Sequence, residues 1–259
     1  MYLFIHTIQY SSFILSQITN SLLLWLIYKK AAHLLGPFRY LMSSFSIFSM
    51  LYSYVDIIAQ PLVLIEKQMF VVINHGPLRY TDWFGFVAVC LLGALFGLCI
   101  AFLCSEFIFR YIIICKPKYR EYIDGPRLLF LFIVPSIISV PWFFFCYFGL
   151  IITPEKKEIL RIPFKQNYEE DSEKLMFVGG LYWSIGRDGS REWCIRDCLA
   201  SLGLTGLMVI CCSTILFCGV KTYRKMKEVQ SSLSKQTAAL NNQLFTTLTL
   251  QVGIHSKQT

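Results

Sequence analysis

Metal chemistry would need convergent imidazoles or thiolates, and the four histidines stand at positions 6, 33, 75 and 255. They fall in different segments, and no two are three or four residues apart, the helical spacing that turns two rings toward one ion. Membrane desaturases and metalloproteases are thereby excluded, and no metal is expected. Nucleophile elbows, phosphate-binding loops and the G-x-G-x-x-G turn are absent, and no paired carboxylates lie in the apolar stretches. No catalytic residue, enzymatic activity or cofactor is expected.

The polar groups that stand out instead are embedded in apolar sequence. Gln9, Ser12, Ser16 and Asn20 recur three or four residues apart, which makes one polar stripe on a helix, with Asn20 as a packing residue directed at other helices. Asp56 stands about 24 Å along a second helix, where a carboxylate needs either a polar partner or a ligand cavity. Gln60 is one turn further along the same face, and Pro61 should bend the helix there. In a third segment Glu106 precedes Arg110 by four residues, the favourable order for an ion pair on one face. At that position the arginine reads either as a topology anchor or as a switch.

The elements that must carry these groups are membrane spans. Of 259 residues 55% are apolar and 15% charged, with mean hydropathy +0.54, more apolar surface than a soluble core of this length hides. Five stretches reach the roughly 20 residues needed to cross a bilayer: about 2–28, 40–65, 83–107, 128–152 and 198–220. Helices are expected throughout, since open strands would leave backbone groups unpaired in lipid. The prediction is an all-α, multi-pass transmembrane bundle forming a single domain over 1–259, with a long loop at 153–197 and a tail at 221–259. The first stretch has no preceding basic residue and no small-residue cleavage site, and reads as a signal anchor. Internal repeats expected of a transporter, and filter loops or charge rings expected of a channel, are not visible.

Charge sets the orientation. Lys29–Arg39, Glu106–Arg127 and the tail from Lys221 carry fourteen basic residues against four acids, whereas the opposite side carries ten against eleven. The first group is expected inside the cell, which leaves the amino terminus and the 153–197 loop outside. The net charge of +8 is thus a topology signal, and no nucleic-acid partner is expected. Cys194 and Cys198 lie where oxidation could occur, Cys115 beside Lys116 is a palmitoylation candidate, and no N-glycosylation sequon is present.

Four ordered blocks carry a resemblance. They are Leu35-Gly36-Pro37-Phe38-Arg39-Tyr40-Leu41-Met42 with Phe45 to Phe48 and Tyr52-Ser53; Phe109-Arg110-Tyr111; Val178-Gly179-Gly180-Leu181-Tyr182-Trp183; and Ser234 through Gln251. Together they resemble nematode seven-transmembrane chemoreceptors of the Str class, which includes the diacetyl-type odorant receptors. Phe109-Arg110-Tyr111 is similar to that class's version of the rhodopsin-like Asp-Arg-Tyr motif, with an aromatic in place of the acid.

The resemblance implies five of the seven helices of a rhodopsin-like receptor that senses a small-molecule chemical ligand and signals through a heterotrimeric G protein. Arg110 would gate the cytoplasmic cavity with Phe109 and Tyr111 as neighbours, and its resting lock would come from Glu106 or from another helix. Asp56 and Gln60 become candidates for the ligand cavity. The expected location is the plasma membrane, within sensory cilia. After Gln251 the pattern breaks: Leu244–Thr259 is 16 residues, about 24 Å of helix with Gly253 and Lys257 interrupting it, too short to span. The expectation is therefore a truncated isoform, a degraded gene copy or a gene whose coding sequence has been incompletely assigned, unable to couple alone and either retained in the endoplasmic reticulum or rescued by assembly with a full-length relative. The alternative is a non-signalling interaction protein that forms receptor oligomers with full-length relatives.

Overall fold

The computed structural model describes residues 2–29, 38–66, 68–122, 130–168, 171–186 and 188–230. The loop at 30–37, with His33 and Leu35-Gly36-Pro37, lies outside the described residues. So do Asp124 and Arg127, and the tail at 231–259 with His255 and the Ser234 to Gln251 block.

The order of elements is α1 (Tyr2–Lys29), α2 (Phe38–Ala59), β1 (Leu62–Glu66), β2 (Met69–Ile73), α3 (Asp82–Cys115), a 3-10 turn (Pro117–Tyr122), α4 (Phe130–Phe144), α5 (Pro154–Tyr168), β3 (Phe177–Leu181), β4 (Trp183–Ile185), β5 (Arg191–Trp193) and α6 (Ile195–Gln230). Among the described residues five helices are long and apolar enough to cross a membrane: α1, α2, α3, α6, and α4 together with the π turn Phe145–Gly149 that continues it. The predominantly helical membrane architecture expected from hydropathy is what the described residues form.

One helix organises the bundle. In α3, 72% of the most apolar window is buried, against 6% in α1 and 17% in α6, so α3 is the axis around which the others pack. It contacts α2, α4 and α6 directly, while α1 reaches the bundle through α2. Its core residues Phe102, Leu103 and Phe107 meet Leu41 and Phe45 of α2 and Cys211, Ile215 and Cys218 of α6. The close approach of α4 depends on glycine: a Cβ at Gly97 would stand 2.6 Å from the Trp142 indole, nearer than packed carbons tolerate.

Hydropathy missed a small sheet at one end. A hairpin of β1 and β2 pairs antiparallel, with Val63 opposite Val72, and β3 joins on the far edge of β2 with Val72 opposite Val178. Alternation turns Met69, Val71 and Ile73 inward, where they pack with Leu160 and Phe164 of α5 and Phe177 of β3. The second span is accordingly shorter than the 40–65 expected. Helix α2 stops at Ala59, Gln60 takes φ +43, and the chain leaves as a strand. Pro61 supplies the reason: it disfavours helical backbone in the residue before it and cannot extend the hydrogen-bond ladder. Where a bend was expected, the helix ends. The third span instead runs past its expected end at 107 to Cys115, placing Glu106 and Arg110 within the helix and not at its tip.

Candidate functional site

The end of α2 is built by its neighbours. Two backbone N–H groups, of His75 and Gly76, donate to the terminal Ala59 carbonyl at 3.1 and 3.0 Å, satisfying an acceptor that the helix leaves open. Asn74, fully buried, accepts from Gly76 N–H through Oδ1 and donates through Nδ2 to the Gly85 carbonyl in the first turn of α3. The approach requires glycine at 76, because a Cβ there would collide with the Ile58 carbonyl. The Asn74 to Tyr80 turn thus staples α2 to α3.

Between this turn and α1 lies a cavity of about 310 Å³ open to solvent, lined by His6, Gln60, His75, Gly76, Pro77, Arg79 and Tyr80. Gln60 donates through Nε2 to the Tyr10 hydroxyl at 3.3 Å, and Arg79 lies over the Tyr80 ring. His6 and His75, 69 positions apart in sequence, stand with ring centroids 5.4 Å apart. Of the two residues expected at a ligand cavity, Gln60 is among the residues that line this opening. Asp56 is not among the lining residues; it is half-buried further down α2, acting electrostatically on the Tyr52 phenol.

The polar stripe of α1 meets α2. The Ser16 and Ser53 hydroxyls are 2.6 Å apart, Gln9 donates to the Pro61 carbonyl and Gln17 to the Met50 carbonyl, both at 3.4 Å. Asn20 instead donates within its own helix, to the carbonyl and hydroxyl of Ser16, so it supports the interhelical contact at one remove.

Toward the other end of α3, Glu106 is 1% exposed, and its Oε2 is buried with no hydrogen-bond partner. Glu106 and Arg110 act on each other electrostatically. Phe109 is buried in the core formed with α2 and α6, and Tyr111 packs against Phe217 of α6 with centroids 5.9 Å apart. A buried carboxylate beside a half-buried guanidinium, flanked by residues that touch α6, can respond to movement of that helix. Cys115, at the end of α3, lies 3.6 Å from the Lys221 carbonyl of α6.

A buried ion pair gave no sequence signal. Lys156, at 1% exposure, pairs with Asp197 of α6 at 2.5 Å and donates to the Ile151 and Gly179 carbonyls, each at 2.8 Å. Asp197 also accepts from the Leu181 N–H and from Arg196. One ammonium therefore ties the segment that follows the π turn, strand β3 and the start of α6 together. Burial pushes the Lys156 ammonium below its ordinary value, against the pull of Asp197. All ten cysteines are free thiols; Cys194 and Cys198 lie one turn apart, with the Cys198 thiol donating to the Tyr182 carbonyl. Burial raises the Cys194 thiol, which disfavours its reactive thiolate.

Comparison with known proteins agrees with this architecture. The profile of the family described as serpentine type seven-transmembrane GPCR chemoreceptor Str matches residues 5–255. The chain is similar to the Caenorhabditis elegans G-protein coupled receptor str-33, 24% identical over 253 residues, covering 96% of this chain and 73% of that receptor. It is also similar to serpentine receptor class r-10 of the same nematode, 26% identical over 221 residues, covering 85% of this chain and 65% of the relative, and to serpentine receptor class J-38, 23% identical. This chain thus spans about two thirds to three quarters of their length. On the match over residues 5–255, the chain belongs to the Str family of serpentine seven-transmembrane chemoreceptors.

Proposed function

We propose that this chain is an odorant-type chemosensory receptor, with its sheet-bearing end outside the cell and the Glu106 to Tyr111 segment toward a heterotrimeric G protein. The observation that carries the reading is the role of α3. Its first turn is stapled to the Asn74 to Tyr80 wall of the open cavity, and its later turns pack Phe109 and Tyr111 with α6, beside Glu106 and Arg110. A small molecule that binds one arrangement of that wall better than another biases the helix, and through it the coupling end. Gln60 belongs to the ligand wall in this reading, and Asp56 to helix packing. The setting is the plasma membrane, in sensory cilia of a nematode.

A second reading is favoured by α1 and α6, whose exposed faces carry Ile14, Leu15, Ile18 and Leu22, and Leu199, Leu202, Val209 and Phe217. Such faces suit further helices, supplied within a receptor or by an oligomeric partner.

The test expresses residues 1–251 joined to the remaining carboxyl-terminal part of str-33, with a G-protein activation readout and a panel of volatile and soluble odorants. The fusion responds in a concentration-dependent way, and Arg110→Ala removes the response at equal surface expression. A fusion silent to the whole panel, or one that signals equally well with Arg110→Ala, refutes the assignment.

A further inference from the structure

Two imidazoles of the cavity wall, His6 and His75, carry no assigned chemistry. His6 is half-buried on the first turns of α1, and His75 is 8% exposed in the turn that caps α2. Both line the same solvent-open cavity. Their ring centroids lie 5.4 Å apart with the planes inclined by 32°, and Nδ1 of His6 is buried with no hydrogen-bond partner.

Two imidazoles on one tetrahedral zinc, with Zn–N bonds of about 2.0–2.1 Å, place their ring centroids about 5 Å apart. The observed separation of 5.4 Å lies close to that value. We propose that His6 and His75 form a binding site for a divalent transition-metal ion, with Zn²⁺ as the best fit, bridging α1 to the turn that enters α3. Imidazole nitrogen selects such ions over Ca²⁺ and Mg²⁺, which demand oxygen donors, and no carboxylate lines the cavity. A ligating imidazole uses one ring nitrogen and leaves the other for a hydrogen bond, so an existing contact of His75 does not compete. Gln60 lines the same wall, and its Nε2 is engaged with the Tyr10 hydroxyl.

Among the described residues no group of three or more His, Cys, Asp or Glu side chains could hold a metal, so water fills the remaining positions. Arg79, also on the wall, opposes a second positive charge, although open solvent screens it. Both features make the ion exchangeable and not a folding element, which suits a modulator that fixes α1 against the α2–α3 staple.

The test uses purified residues 1–259 in lipid nanodiscs, following thermal unfolding against Zn²⁺ concentration and the visible spectrum of added Co²⁺. Zn²⁺ is expected to raise Tm saturably, whereas Ca²⁺ and Mg²⁺ do not. His6→Ala and His75→Asn should each weaken the effect at least about tenfold, and Cys194→Ser/Cys198→Ser should leave it intact. Bound Co²⁺ should show nitrogen and oxygen ligand-field bands without thiolate charge transfer. His6 lies on the partly exposed first turns of a helix, so its alanine variant keeps the test decisive should His75→Asn fail to fold. The proposal is overturned by no Tm shift in the unaltered chain, by a shift that survives His6→Ala, by one that disappears only with the cysteines, or by an equal response to Ca²⁺. None of these readouts involves signalling, so their failure leaves the receptor assignment standing.

Discussion

Among the described residues the buried charged groups are Glu106, Lys156 and Asp197, and they are held in two contrasting ways. Lys156 is fully hydrogen-bonded, to two carbonyls and to Asp197. Removing one partner strands the other, so Lys156→Met should cost about 3 kcal/mol or somewhat more, and Lys156→Met/Asp197→Leu should recover most of that loss. Thermal or denaturant unfolding in micelles measures both; a single-variant cost within about 0.5 kcal/mol, the range of ordinary surface substitutions, would mean the pair ties nothing together. Glu106 is the opposite case, a buried carboxylate whose Oε2 has no hydrogen-bond partner. If it restrains Arg110 electrostatically, Glu106→Gln should raise basal G-protein activation in the str-33 fusion, and unchanged basal activity would reduce Glu106 to a bystander. The sequence showed the Glu106 and Arg110 spacing but not the depth of burial, which the packing of α2 and α6 around α3 decides. Lys156 was illegible for a related reason: it sits beside Lys157 in a charged stretch, and only the fold of the 153–197 segment brings Asp197 to one of the pair.

At the level of elements, small residues and prolines set the geometry. Gly97 lets α4 lay Trp142 across α3; Gly97→Leu should destabilise by about 1–3 kcal/mol through overpacking. A Cβ added to Gly206 on α6 would meet nothing within 4 Å, so Gly206→Ala should be neutral or stabilise by up to about 1 kcal/mol through helix propensity. Melting temperatures of the two variants side by side test this, and equal losses would show that the α3–α4 contact is not the tight one. All five apolar stretches were legible in the sequence because length and hydropathy suffice to reveal a span. The end of α2 was not, because Leu62 to Ile65 is as apolar in a strand as in a helix. The local signal was Pro61, read as a bend when its effect on Gln60 was termination. The sheet stayed hidden because its partner strand β3 lies more than a hundred residues away from β2 in the chain.

For the whole molecule, α3 links a cavity at the sheet-bearing end to Glu106, Arg110 and Tyr111 toward the other, and the receptor reading requires those ends to face opposite compartments. By the positive-inside rule, the fourteen-to-four excess of basic over acidic residues in Lys29–Arg39, Glu106–Arg127 and the tail from Lys221 predicts that their side faces the cytoplasm. The most direct measurement is glycosylation mapping, with an Asn-x-Thr acceptor inserted either at the Asp188–Gly189 turn or within the Pro117–Tyr122 segment, in a chain expressed through microsomal membranes. Glycan addition at the 188–189 turn and none at 117–122 is the expected result. Addition at 117–122, with 188–189 unmodified, would place the cavity inside the cell and contradict the account.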